Sequence, residues 1–114
     1  MKLKIDFVTN SSSTAYLIKN VSTTDNLNER SFVDSIWDHI QDKMKYYEYD
    51  YTKEQLIKSL EEKYSYYFPL FINEERIMVF GDEDYTVAGR VFDYVLRGGI
   101  KTGLVDIKFE EYRR

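Results

Sequence analysis

The stretch around which the chain is organised is Lys4-Ile5-Asp6-Phe7-Val8-Thr9-Asn10-Ser11-Ser12-Ser13. Residues 3 to 8 alternate between apolar side chains on one side and charged side chains on the other, which is typical of a half-buried strand. Residues 9 to 14 are six small hydroxyl or amide residues, a composition that favours turns over regular backbone pairing. Because Ala15 and Leu17 resume the alternation, the pattern predicts a β-hairpin.

The composition indicates one domain that spans residues 1–114. The chain is 43% hydrophobic and contains one proline and no cysteine, so it can bury a core without disulfides and shows no linker. The absence of cysteine also excludes thiolate chemistry and cysteine-type zinc sites. Since no apolar run approaches the roughly 18 residues that a membrane helix needs, we expect a soluble, cytoplasmic protein with no membrane partner. No cofactor is predicted.

The charge and the aromatic content point towards a protein partner. A net charge of -4 argues against direct nucleic-acid binding, which usually needs a basic face. The chain has eleven tyrosines, a residue that binding surfaces use because it offers amphipathic contact area at low entropic cost. A codon bias towards Tyr, Lys, Ile and Asn is an alternative explanation that the sequence leaves open.

Three helices are predicted after the hairpin. The first begins at Ser31, or as early as Asn28, and the second begins at a capping box of Thr52 and Gln55 and stops at Pro69. The third follows Gly81-Asp82-Glu83-Asp84, whose carboxylates are expected to cap it, and ends before Gly98 and Gly99. Its apolar face contains an internal glycine, Gly89, which predicts a close approach to another element. The expected buried face of the first helix comprises Phe32, Val33, Ile36, Trp37, Ile40, Met44 and Tyr47.

Two further strands complete the pattern. Residues 77–80 are continuously apolar, which favours a strand covered on both sides, and residues 103–112 alternate like a one-sided strand. The predicted order is therefore ββααβαβ. This order predicts an α+β domain with an antiparallel or mixed sheet of about four strands and three helices mainly on one face.

The first helix also carries an acidic row. Asp34, Asp38 and Asp42 follow each other at i, i+4 spacing, which is either a solvated face or a contact surface for a basic partner. Carboxylates one turn apart lie about 5–6 Å from each other, close to the phosphate spacing of a nucleic-acid strand. The row therefore allows a nucleic-acid mimic. Directly after it, the tyrosines at positions 46, 47, 49 and 51 cannot all face one core.

The serine-rich turn is the other candidate site. Thr9, Asn10, Ser11, Ser12 and Ser13 could form a nest of backbone N–H groups and hydroxyls that holds a phosphate, or a turn that satisfies its own hydrogen bonds. A nucleophilic triad is not expected, because His39 is the only histidine, and no P-loop motif is present.

A metal site is also not predicted. Asp82, Glu83 and Asp84 could join Asp106 to hold Mg²⁺, and Asp106-Ile107-Lys108 has the D-x-K spacing of some nucleases. A whole helix separates these acidic residues from Asp106, however, so the strand-hairpin relation of such sites is missing.

Two stretches resemble a group of small bacterial and mobile-element proteins. The run Asp6-Phe7-Val8-Thr9-Asn10-Ser11-Ser12-Ser13, followed by Tyr16-Leu17-Ile18, is similar to their D-F-V-T-N-S-S-S-type opening. Residues 81–97 and the final Glu111-Tyr112-Arg113 look like the C-terminal part of some of them. The resemblance implies no established function and no catalytic residues.

These patterns favour a small acidic protein-interaction module over an enzyme. We expect it to bind a larger protein, either a basic or a nucleic-acid-binding one. The analogy is with inhibitors of the anti-CRISPR type from phages or mobile elements, which bind and block a larger protein. The alternative is a phosphate- or nucleotide-binding enzyme that uses the Thr9–Ser13 turn. A third hypothesis is a homodimer formed through a sheet edge or the tyrosines. The predicted binding residues are Asp34, Asp38, Asp42, Tyr46, Tyr49 and Tyr51.

Overall fold

The computed structural model describes residues 13–81 and 84–113, and it confirms an α+β fold with three helices and a four-stranded antiparallel sheet. The helices pack over one face of the sheet. The elements are β1 Ser13–Asn20, α1 Glu29–Tyr46, α2 Lys53–Lys63, a 3₁₀ turn Ser65–Tyr67, β2 Glu75–Gly81, α3 Val87–Val95, β3 Ile100–Lys101 and β4 Val105–Arg113.

The strand order is β2-β1-β4-β3, which places β1 in the interior of the sheet. Its first residue, Ser13, pairs with Gly81 of β2 on one side and with Arg113 of β4 on the other. The predicted strand at residues 3–8 lies outside the described residues. From its second strand onward the predicted element order is the observed one, with the short β3 added before β4.

The core-facing residues of β1 are shifted by one position from the prediction. Tyr16 and Ile18 are fully buried against the helices, whereas Leu17 lies on the opposite face and is only half-buried. Ala15 is also buried, but the pairing of β1 with β4 changes register between Ala15 and Tyr16. The alternation alone could not show which of the two faces the helices cover.

β2 is an edge strand with one covered face, so the prediction of a strand covered on both sides is wrong. Met78 and Phe80 are fully buried, while Ile77 points away from the helices and is 41% exposed. The outer edge of β2 is partly protected by Tyr67, whose hydroxyl accepts from the Val79 N–H at 2.8 Å and donates to the Val79 carbonyl at 3.3 Å. Such protection of an edge hinders pairing with another strand.

α1 begins at the earlier of its two predicted starts. Asn28 is the N-cap and forms a reciprocal capping box with Ser31, each side chain accepting from the other residue's N–H. The buried face agrees with the prediction except at two positions. Trp37 is only partly buried, and Tyr47 is 41% exposed because it is the C-cap and lies beyond the last turn.

α2 starts as predicted at the capping box of Thr52 and Gln55, but it ends at Lys63 and not at Pro69. The chain leaves the α-helical conformation at Tyr64 and makes the short 3₁₀ turn before the proline. Tyr64 is buried, whereas Tyr67 and Phe68 only pack against the rim of the core.

α3 is capped by Thr86, whose hydroxyl accepts from the Gly89 N–H at 2.9 Å, so the predicted carboxylate cap is wrong. Asp84 instead accepts from the Tyr64 hydroxyl at 2.7 Å and from the Gly81 N–H at 3.2 Å. The predicted close approach at Gly89 is confirmed. A Cβ at this position would lie 2.5 Å from the Gly81 carbonyl oxygen.

Candidate protein-binding surface

The acidic row on α1 is exposed along its whole length. Asp34, Asp38 and Asp42 all face solvent, and the next residue at the same i, i+4 spacing is Tyr46, whose side chain is 81% exposed. The row therefore continues from carboxylates into an aromatic ring.

Ion pairs to α2 occupy one end of this row. Lys53, the first residue of α2, lies 3.1 Å from the Asp34 carboxylate. Beside it, Arg30 makes a bidentate contact with Glu54 at 2.7 and 2.9 Å, which holds the pKa of the Glu54 carboxyl below its usual range. These contacts join the two helices. Asp34 is thus partly engaged inside the molecule.

Asp38 and Asp42 make no ion pair with any residue in the described part of the chain. They form the acidic half of the candidate surface. Being solvated, they add little to folding stability, and their charges remain available to an approaching partner.

The turn after α1 brings the tyrosines together. Glu48 has a positive φ of 60°, which reverses the chain, and the Tyr49 N–H donates to the Met44 carbonyl at 2.8 Å. Tyr47 and Tyr49 therefore point the same way, and their rings stack at 5.7 Å with an interplanar angle of 26°. A helical backbone would not place rings two residues apart on one face in this way.

Five rings form what we call the tyrosine cluster. Tyr46 meets Tyr47 edge to face at 5.1 Å, Tyr49 lies 6.2 Å from Tyr51, and Tyr94 of α3 lies 5.6 Å from Tyr47. Tyr46 and Tyr47 are the exposed members, whereas Tyr49, Tyr51 and Tyr94 are partly buried. Of the predicted tyrosines, Tyr46 has the most exposed side chain, while Tyr49 and Tyr51 are partly buried members of the cluster.

Two arginines of the α3 region contact rings of the cluster. The guanidinium of Arg97 lies 4.4 Å from the centre of the Tyr94 ring, a cation–π contact, and Arg90 Nη1 donates to the Tyr51 hydroxyl at 3.2 Å. The cluster therefore lies between the exposed carboxylates of α1 and two guanidinium groups of the α3 region, of which Arg97 is paired with Asp93.

Sequence reasoning missed Tyr47 and Tyr94 as members of this surface. Tyr47 continues the apolar spacing of α1 and was assigned to the core, but the helix ends before it. Tyr94 lies between two buried residues of α3, off the apolar face that Val91 and Val95 define. A large aromatic residue off the apolar face of a short helix was the available signal.

A buried polar cluster next to the start of β1 was also missed. Asp93 of α3 is fully buried, and its carboxylate accepts from the Thr14 hydroxyl at 2.6 Å and from Arg97 Nη2 at 3.1 Å. The Tyr16 hydroxyl donates to the Asp93 carbonyl at 3.0 Å, and burial raises the pKa of this hydroxyl well above its usual range. The cluster ties α3 to the sheet. Thr14, Tyr16 and Asp93 are fully buried, and the Arg97 side chain, 27% exposed, is the part of the cluster that reaches solvent.

An open groove of about 420 Å³ lies between α2 and the start of α3. Lys58, Glu62 and Tyr85 are exposed on its walls, and Ser59 at its base accepts from the Ala88 N–H. Among the residues that the structure describes, no group of three or more histidines and carboxylates could hold a metal ion, and His39 is an exposed residue of α1.

The predicted anion-binding turn can be placed only at its last residue. Ser13 is the first residue of β1 and is half-buried, whereas Thr9, Asn10, Ser11 and Ser12 lie outside the described residues.

Comparison with known proteins returned no match among family models, curated proteins or solved structures. Within the described residues, no helix is long and apolar enough to cross a membrane.

Proposed function

We propose that this protein is a small interaction module that binds a basic partner protein through Asp38, Asp42 and the tyrosine cluster. The observation that carries the proposal is the position of Tyr46, which is 81% exposed, continues the acidic row and rests against Tyr47. An exposed ring beside exposed carboxylates is a typical composition for an interface anchor with a polar rim.

The two halves of the surface are expected to contribute differently to binding. The carboxylates of Asp38 and Asp42 steer a basic partner and raise its association rate, while each adds only about 0.2–1 kcal/mol of affinity. Tyr46 can lose most of its exposure in a complex, and aromatic anchors of this kind are worth about 2 kcal/mol or more. Affinity should therefore depend on Tyr46, and salt sensitivity on the two aspartates.

The class of partner that best fits this surface is a larger protein with a basic face, including one that normally binds nucleic acid. Carboxylates at Asp38 and Asp42, one helical turn apart, present charges at about the spacing of phosphates. With a net charge of -4, the chain can compete for such a face. On this proposal the protein acts as an inhibitor of the kind that phages and mobile elements encode.

Affinity capture from the native host with a tagged chain tests the proposal. We expect one captured protein to be lost with Tyr46→Ala, and we expect Asp38→Asn/Asp42→Asn to lower its association rate and its dependence on salt. Surface plasmon resonance with the purified partner between 50 and 300 mM salt would measure both effects, because the Debye length shortens about 2.4-fold over this range.

Two matched controls lie elsewhere on the molecule. Tyr85→Ala removes a ring of almost equal exposure, 82%, and Glu61→Gln/Glu62→Gln removes the same charge from exposed positions of α2. Both controls should bind like the unaltered protein. If Tyr46→Ala retains full binding, or if the controls lose as much, the proposed surface is wrong.

A further inference from the structure

The row of rings in the tyrosine cluster is about as long as a short extended peptide. Successive ring centres from Tyr46 through Tyr47 and Tyr49 to Tyr51 lie 5.1, 5.7 and 6.2 Å apart, so the row is at most about 17 Å long. A polyproline II segment advances 3.1 Å per residue, so about five to six residues would cover this row.

The cluster is also organised before any partner arrives. The Tyr47 ring touches Tyr46, Tyr49 and Tyr94, and the Tyr51 hydroxyl is held by Arg90. Little side-chain entropy remains to be lost when a partner lands on these rings. A fixed row of aromatic rings is the surface that polyproline II segments use, because such a segment is itself already extended and has no internal hydrogen bonds to break.

The exposed carboxylates of Asp38 and Asp42 make the Tyr46 end of the row acidic. Asp38 and Asp42 precede Tyr46 on the same face of α1, whereas Arg90 and Arg97 contact the cluster from α3 at the other side. A bound segment with a cation would be attracted at the Tyr46 end. A single-stranded nucleic acid could also stack on tyrosines, but its phosphates would be repelled by the two aspartates.

We infer that the tyrosine cluster recognises a proline-rich, extended segment that carries lysine or arginine at the end lying over Asp38 and Asp42. This inference rests on the proposed function and names the chemistry of the partner at the same surface. Proline rings pack against the exposed Tyr46 ring and the exposed part of Tyr47, and the basic side chains of the segment pair with the two carboxylates.

The test uses synthetic fluorescein-labelled peptides and fluorescence anisotropy on the full chain. The first probe is hexaproline flanked by two arginines at each end. The second is hexaproline flanked by glutamates in the same way, and the third is an alanine–serine hexamer flanked by arginines. An oligothymidylate is the fourth probe. We expect an arginine-flanked hexaproline to bind about ten-fold more tightly than each of the other probes, through rings and carboxylates together.

Variants separate the two halves of the recognition. Tyr46→Ala should weaken binding of the arginine-flanked hexaproline about ten-fold, and Tyr46→Phe, which keeps the ring, should retain most of it. Asp38→Asn/Asp42→Asn should abolish the preference for arginine over glutamate while a weaker proline preference remains. Tyr85→Ala is the control that should change nothing, and circular dichroism checks that each variant is folded.

Two results would overturn the inference. One is equal binding of hexaproline and the alanine–serine peptide, and the other is tighter binding of the oligothymidylate. If capture of the host partner still depends on Tyr46 in that case, the proposed function stands and only the proline-rich segment is wrong. If an arginine-flanked hexaproline binds at Tyr46 but the Tyr46→Ala variant still captures the host partner, the proposed function fails and the peptide site stands.

Discussion

Gly89→Ala is the substitution for which helix propensity and packing predict opposite results. Alanine is favoured over glycine inside a helix by about 1 kcal/mol, so propensity alone predicts a more stable protein. In the structure, however, the added Cβ would lie 2.5 Å from the Gly81 carbonyl oxygen and 2.6 Å from the hydroxyl oxygens of Thr86 and Tyr64. The Gly81 carbonyl oxygen belongs to the backbone at the end of β2, so it cannot move aside by a side-chain rotation.

The magnitude follows from what the methyl group would displace. Overpacking of a tight site costs about 1–3 kcal/mol. The Thr86 hydroxyl caps α3, and the Tyr64 hydroxyl bonds both Thr86 and Asp84, so moving them costs about another 1–2 kcal/mol. After the gain in propensity, we expect Gly89→Ala to lower the free energy of unfolding by about 1–4 kcal/mol.

Urea unfolding followed by circular dichroism measures this difference. The matched control is Gly103→Ala, because no atom lies within 4 Å of the Cβ it would add. This control should be neutral or stabilising by about 0.4–1 kcal/mol. If Gly89→Ala proves as stable as Gly103→Ala, the close contact between α3 and the end of β2 does not limit this position, and the packing argument is refuted.

Two further predictions concern the buried polar groups. Asp93→Asn should lower the free energy of unfolding by about 2–4 kcal/mol, since it weakens the bonds from Thr14 and Arg97 at a fully buried site. Urea unfolding of this variant at an unchanged midpoint would contradict the assigned bonds. Burial raises the pKa values of Tyr16 and Tyr64, so above about pH 10 the folded state binds more protons than the unfolded chain, whose tyrosines ionise there. Stability from these groups is therefore complete below pH 10 and falls as the pH rises, by at most about 1.4 kcal/mol per pH unit for each. Urea unfolding between pH 8 and 11.5 should show a shallower decline for Tyr64→Phe, and an identical slope would count against this account.

The local elements were accessible from sequence because their signals lie within one helical turn. The capping box of Thr52 and Gln55 spans three residues, and both of its hydrogen bonds form as predicted. The close approach at Gly89 was equally predictable, since an internal glycine in an apolar helix face has few other reasons. The end of α2 was misplaced because the chain enters a 3₁₀ turn at Ser65, well before Pro69.

The candidate surface was only partly accessible. The spacing of Asp34, Asp38 and Asp42 predicted a row on one helix face, and all three are exposed there. The pairing of Asp34 with Lys53 depends on how α1 and α2 pack, which no local pattern encodes. The exposure of Tyr47 depends on where α1 ends, because Tyr47 continues the apolar spacing but follows the last helical residue.

By itself, the sequence determined the α+β class, the apolar faces of the helices and the presence of an acidic row next to excess tyrosine. Those properties depend on periodicity and on hydrogen bonds between near neighbours in the chain. The tertiary structure alone decided that β1 is interior, that Asp93 is buried against Thr14, 79 positions away, and that Tyr94 joins the cluster of Tyr47. Such contacts join residues distant in sequence, and their partners are selected by the packing of whole elements, which short-range patterns do not specify.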